Sequence, residues 1–202
     1  PLTLAGAMET SLVLHGEVWR LITSQYLHAN VMHLFVNMLG LYFLGRYLEH
    51  DWGRRKFLIF YTICGMAGNV FYMLLNLVGW LGPGFAVGAS GCILGVLGAC
   101  AVLFPGIQLI VFLFPMNIRT AAGLFLALYT YNLLSRGWNA GGDAAHLAGM
   151  VVGAGYAFWT KRSERRGRPF RPRWSIPWRH RTGPRARIPF RRRQSTAGLA
   201  GK

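Results

Sequence analysis

The sequence predicts an all-α fold, a polytopic transmembrane helical bundle. Three observations lead there. Phe57 to Leu81 is a run of 25 residues without a charge, and Phe85 to Phe104 is a second run of 20. A bilayer core needs about 20 apolar residues in a helix. Hydrophobic residues make up 53% of the chain, yet period-2 alternation is absent, which argues against strands. The charge is also segregated. Up to Thr160, seven Lys and Arg stand against five acids, a net +2, whereas the 42 residues from Lys161 hold fifteen bases and one acid, a net +14.

Taken in order, residues 1–30 read as an external loop. Helices are expected at about 31–48, 57–81, 85–104, 120–135 and 144–160, making residues 1–160 one transmembrane domain. The first, fourth and fifth are near the lower length limit for a span. Residues 105–118 are apolar but hold Pro105, Gly106 and Pro115, and read as an interfacial loop. Residues 161–202 alternate Arg with Pro, Trp and Gly. Five prolines from Pro169 to Pro189 forbid a continuous helix. This segment is expected to be a disordered tail attracted to anionic lipid.

The formal net charge of +16 invites a nucleic-acid reading, but the basic part lacks a core and the part with a core is not basic. No nucleic acid is expected as a partner. A disulfide scaffold is excluded by only three Cys, all in apolar runs. Placing 20 of the 22 basic residues on one side puts the tail in the cytoplasm and the Pro1 end outside. That topology leads us to expect one further helix upstream of Pro1. The charge bias suggests a bacterial inner membrane.

Polar groups in hydrocarbon are costly and tend to be functional. His33 and Asn37 share a face near the start of the first helix, at i and i+4. Ser90 is expected a few residues into the third helix, and His146 a few residues into the fifth. Those helices all start on the outer side, so four polar groups from three helices converge on one level. Gly88, Gly91, Gly95 and Gly98 flank Ser90, and Gly149 and Gly153 follow His146. Small residues let helices approach closely in lipid.

A serine beside a histidine is the chemistry of nucleophilic acyl transfer, because a hydroxyl attacks only once a base takes its proton. The resulting oxyanion needs donors. His33, Asn37 and the Ser90 N–H can supply them. Asp143 lies three residues before His146, but one residue type at one spacing does not make it a triad member. The soluble-hydrolase pattern GxSxG fails, because Cys92 takes the second Gly position.

These residues resemble the rhomboid intramembrane serine proteases. Glu17-Val18-Trp19-Arg20 is similar to the family's E-x-W-R loop element. His28 with His33-Leu34-Phe35-Val36-Asn37 is similar to its H…HxxxN region. Gly88-Ala89-Ser90-Gly91 matches GxSG, and Ala145-His146-Leu147-Ala148-Gly149 with Gly153 matches AHxxGxxxG. The resemblance covers Leu14 to Trp159, with the elements in the family's order. It implies Ser90 as nucleophile, His146 as general base, and His33, Asn37 and the Ser90 N–H as the oxyanion site. It implies a transmembrane protein substrate cut near the outer face, and no cofactor or metal. It also implies six helices, of which five are visible here. Where many bacterial members carry a tyrosine that supports the histidine ring, this sequence has Leu94. Tyr129 is read as packing. Two other readings compete: a catalytically inactive relative that binds transmembrane helices, and a transporter or channel. The retained Ser and His argue against the first, and the one-sided clustering of polar residues against the second.

Overall fold

The computed structural model describes residues 5–111 and 113–167. Two short helices, α1 (Thr10–Leu14) and α2 (Arg20–Thr23), lie in the N-terminal loop. Then come α3 (Val31–Trp52), α4 (Arg54–Leu77), α5 (Ser90–Leu103), a hairpin of β1 (Gln108–Val111) and β2 (Phe114–Asn117), α6 (Ile118–Leu134) and α7 (Ala140–Gly167). The described residues are therefore mostly helical, with a small antiparallel hairpin where an interfacial loop was expected.

Two described helices, α3 and α4, are long and apolar enough by length and composition to cross a membrane, and α5 is a shorter apolar helix. α3 passes through a π-helical turn at Leu41–Gly45. Gly53, at φ +81°, breaks the helix between α3 and α4, a backbone angle that favours glycine. Asn30 and Asn117 cap α3 and α6, their side chains accepting from the His33 and Arg119 N–H groups.

The bundle is organised around α5. Every residue from Gly91 to Cys100 is buried. α7 lies against it with almost no side chain between: a Cβ on Gly149 would strike the Gly91 carbonyl oxygen, and one on Gly153 the Gly95 carbonyl oxygen. Cys64, Cys92 and Cys100 are buried in this core as free thiols.

Several boundaries differ from the sequence reading. α4 ends at Leu77, four residues short of expectation, because Gly79 takes φ +72°. α5 begins at Ser90 rather than near residue 85. Gly88 adopts φ +129°, and Ala86 is paired in extended form with Met8 through N–H to carbonyl bonds of 2.9 Å in both directions. α7 starts at Ala140 and runs to Gly167, seven residues into the expected tail, since no proline intervenes before Pro169. The rest of the tail lies outside the described residues.

Candidate active site

The loop between α4 and α5 sets where Ser90 stands, and other elements tie it down. Tyr72 of α4 donates its hydroxyl to the Gly84 carbonyl at 2.9 Å, and Asn76 donates to Gly82 at 2.8 Å. The Gly88 N–H donates to the Ser24 carbonyl at 2.9 Å. Ser24 is itself held, its hydroxyl accepting from Asn69 of α4 at 2.9 Å. Beside it, the Gln25 amide accepts from the Cys92 thiol at 3.3 Å.

The E-x-W-R element anchors this N-terminal loop. Arg20 is buried, donates from Nε to Glu17 at 2.7 Å, pairs with the same carboxylate through Nη2, and donates from Nη1 to the Ala7 carbonyl at 2.7 Å. Its contacts are structural, and Glu17 and Arg20 lie outside the Ser90 cleft.

Ser90, the first residue of α5, faces the seventh residue of α7. Ser90 Oγ lies 2.7 Å from His146 Nε2. With the ring proton on Nδ1, the hydroxyl donates to Nε2, the arrangement a general base requires. Glycine permits the approach of the two helices here: a Cβ on Gly91 would fall 3.2 Å from the carbonyl oxygen of Ala145, the residue before His146.

His33 and Asn37 of α3 line the same cleft of about 1290 Å³ as Ser90 and His146, so all four predicted residues come together. The His33 ring lies against Gly88, where a Cβ would sit 2.6 Å from Cε1 and 2.8 Å from Nε2. Any side chain at Gly88 would displace that ring. Ala29 N–H donates to His33 Nδ1 over a long 3.5 Å, which favours the proton on Nε2, the nitrogen nearest Gly88. Asn37 is buried and donates one Nδ2 hydrogen to the His33 carbonyl at 2.9 Å. Its second amide hydrogen remains for another acceptor.

Two residues that sequence reasoning set aside join the site. The Tyr129 ring of α6 packs on His146 at a centroid separation of 4.6 Å. Tyr129 thus gives aromatic support to the ring, although Leu94 occupies the position expected to supply it. Nothing in the local sequence distinguishes Tyr129 from a packing residue. Asp143 is 2% exposed, and its Oδ1 lies 3.5 Å from His146 Nδ1. Its spacing was visible in the sequence, but its burial was not.

A helical bundle with apolar helices and a Ser–His pair at the mouth of a buried central helix defines a narrow class. The Rhomboid domain family matches residues 15–163. Similar proteins include RHOMBOID-like protein 1 of Arabidopsis thaliana, 43% identical over 95 residues, covering 46% of this chain and 23% of that protein. The Rhomboid protease GluP of Bacillus subtilis is 38% identical over 94 residues, covering 46% of this chain and 17% of that protein. The mitochondrial Rhomboid protein 1 of Saccharomyces cerevisiae is 31% identical over 170 residues, covering 78% of this chain and 46% of that protein. The chain therefore spans less than half the length of each of these relatives. It belongs to the rhomboid family, and is accordingly an integral membrane protein with a polytopic helical bundle.

Proposed function

We propose that this protein is an intramembrane serine endopeptidase that cleaves transmembrane segments of other membrane proteins. The observation that carries the reading is the 2.7 Å approach of Ser90 Oγ to His146 Nε2 in a cleft shared with His33 and Asn37. One similar protein, GluP, is named a rhomboid protease.

In this reading Ser90 Oγ attacks the scissile carbonyl carbon while its proton passes to His146 Nε2. The Ser90 N–H, His33 and the second Asn37 amide hydrogen stabilise the oxyanion. Collapse expels the amine, which takes the proton from His146. Water, activated by the same base, then hydrolyses the acyl-enzyme. The domain spans residues 1–160, and α3 to α7 supply five spans. The basic C-terminal end lies in the cytoplasm, near anionic lipid, and the cleft opens toward the outer side of a bacterial inner membrane.

The test is cleavage of a single-span transmembrane substrate in proteoliposomes by wild type, Ser90→Ala and His146→Ala, with a fluorophosphonate probe as a second readout. The expected result is cleavage and probe labelling by wild type alone. A folded wild type that neither cleaves nor labels would replace this reading with that of a helix-binding relative.

A further inference from the structure

Among the described residues, His146 Nδ1 and Asp143 Oδ2 are both buried and without a hydrogen-bond partner. A buried polar atom left unpaired carries a desolvation cost that a partner would offset. Here the two orphaned groups sit on one helix face at i and i+3, with Asp143 Oδ1 3.5 Å from Nδ1. An unpartnered ring nitrogen thus stands close to a carboxylate.

Among the described residues, none is a rival of comparable strength for His146 Nδ1. On the Nε2 side stands Ser90 of α5. Tyr129 of α6 presents its ring to the imidazole. His33 of α3 lines the same cleft. Arg136 also lines it, but its guanidinium stacks over the Trp80 ring, 4.7 Å from the centroid. Asn139 reaches Asp143 Oδ1 at 3.4 Å as a donor, which orients the carboxylate without neutralising it. Asp143 is the fourth residue of α7, where the partial positive charge of the helix N-terminus favours a carboxylate.

We propose that Asp143 is a positioning residue for His146, an inference that rests on the protease reading above. Its carboxylate accepts the Nδ1–H, which fixes the tautomer that leaves Nε2 bare toward Ser90. When the Ser90 proton arrives at Nε2, the carboxylate faces the imidazolium and the Nδ1 proton stays on the ring. The proton then leaves on the departing amine, so Asp143 gains and loses nothing. An amide in its place turns an N–H toward Nδ1 and selects the opposite tautomer.

Two measurements on the full chain decide it. The first is the tautomer of His146, read from ring nitrogen shifts in histidine-labelled protein in nanodiscs and assigned with His146→Gln. Wild type should carry the proton on Nδ1, and Asp143→Asn should move it to Nε2. The second is steady-state cleavage. Asp143→Asn should lower kcat on the order of 100-fold with KM little changed, and Asp143→Glu, which keeps the acceptor, should recover part of the loss.

An Nε2–H tautomer in wild type, or wild-type kcat in folded Asp143→Asn, overturns the proposal. If Asp143→Asn does not fold, the wild-type tautomer alone decides. The two readings fail separately: a wild type that never cleaves but shows an Asp143-dependent Nδ1–H tautomer removes the protease and leaves the pairing. Cleavage by a wild type with the Nε2–H tautomer does the reverse.

Discussion

The Tyr129 ring lies against the His146 imidazole, with centroids 4.6 Å apart and planes inclined at 55°. This contact couples α6 to the base on α7. It sets a tilted aromatic ring against the imidazole, whose Nε2 meets Ser90. Aromatic contacts of this kind are worth about 0.5–1.5 kcal/mol beyond burial. Tyr129→Leu should therefore lower kcat roughly three- to tenfold, since about 1.4 kcal/mol is tenfold in rate. Tyr129→Phe, which keeps the ring, should stay near wild type. Steady-state cleavage by both variants checks this, and equal losses would place the effect in the hydroxyl instead.

Helix contact through Gly149 sets the position of His146. Because a Cβ there meets the Gly91 carbonyl, even Gly149→Ala forces α5 and α7 apart. Overpacking of this kind costs about 1–3 kcal/mol, and the Ser90–His146 distance grows with it. Gly155, by contrast, has nothing within 4 Å of a Cβ. Gly155→Ala should be neutral or slightly stabilising. Thermal unfolding in detergent and cleavage rates should separate the two glycines. A Gly149→Ala protein as stable and active as wild type would refute the packing argument.

The N-terminal loop depends on Arg20. The guanidinium satisfies both the Glu17 carboxylate and the Ala7 carbonyl from a buried position. Arg20→Gln should cost about 2 kcal/mol of stability and loosen the support beneath Gly88 and Ser90. Arg20→Lys should not rescue it, because a point charge cannot reproduce the fork. Midpoints of thermal unfolding for both variants provide the check.

Acid should weaken the fold through His28. Burial pulls its pKa below the usual 6.5, against the opposing bond at the Tyr26 backbone. Its Nε2 is buried without a partner among the described residues. The folded protein thus binds this proton less readily than the unfolded chain does. As pH falls below 6.5, the unfolded state takes up the proton first, and stability declines until the folded-state pKa is passed. The unfolding midpoint should drop as the medium is acidified through that range, and His28→Gln should flatten the dependence. An unchanged slope in His28→Gln would assign the acid sensitivity to another group.

Much of this molecule was legible without coordinates, for local reasons. Hydropathy over about 20 residues marks a span wherever its neighbours lie, so α3 and α4 were found within a few residues of their ends. The i, i+4 spacing places His33 and Asn37 on one face, and the glycines of α5 and α7 announce close contact. The Ser90 and His146 motifs stood out because those side chains are out of place in an apolar run. The start of α5 at Ser90 was not legible, because Met8 and Ser24, far away in sequence, hold Ala86 and Gly88 out of the helix.

The sequence by itself determined a helical membrane bundle and singled out Ser90, His146, His33 and Asn37 within it. Periodicity, length and charge are properties of single segments, and they survive without knowledge of their neighbours. Only the tertiary structure decided what surrounds the site: the Tyr129 ring against His146, Asp143 near its far nitrogen, and the His33 ring beside Gly88. Those contacts depend on how helices rotate and cross, which is settled by the fit of α5 and α7 backbone to backbone. No window along the chain records that fit.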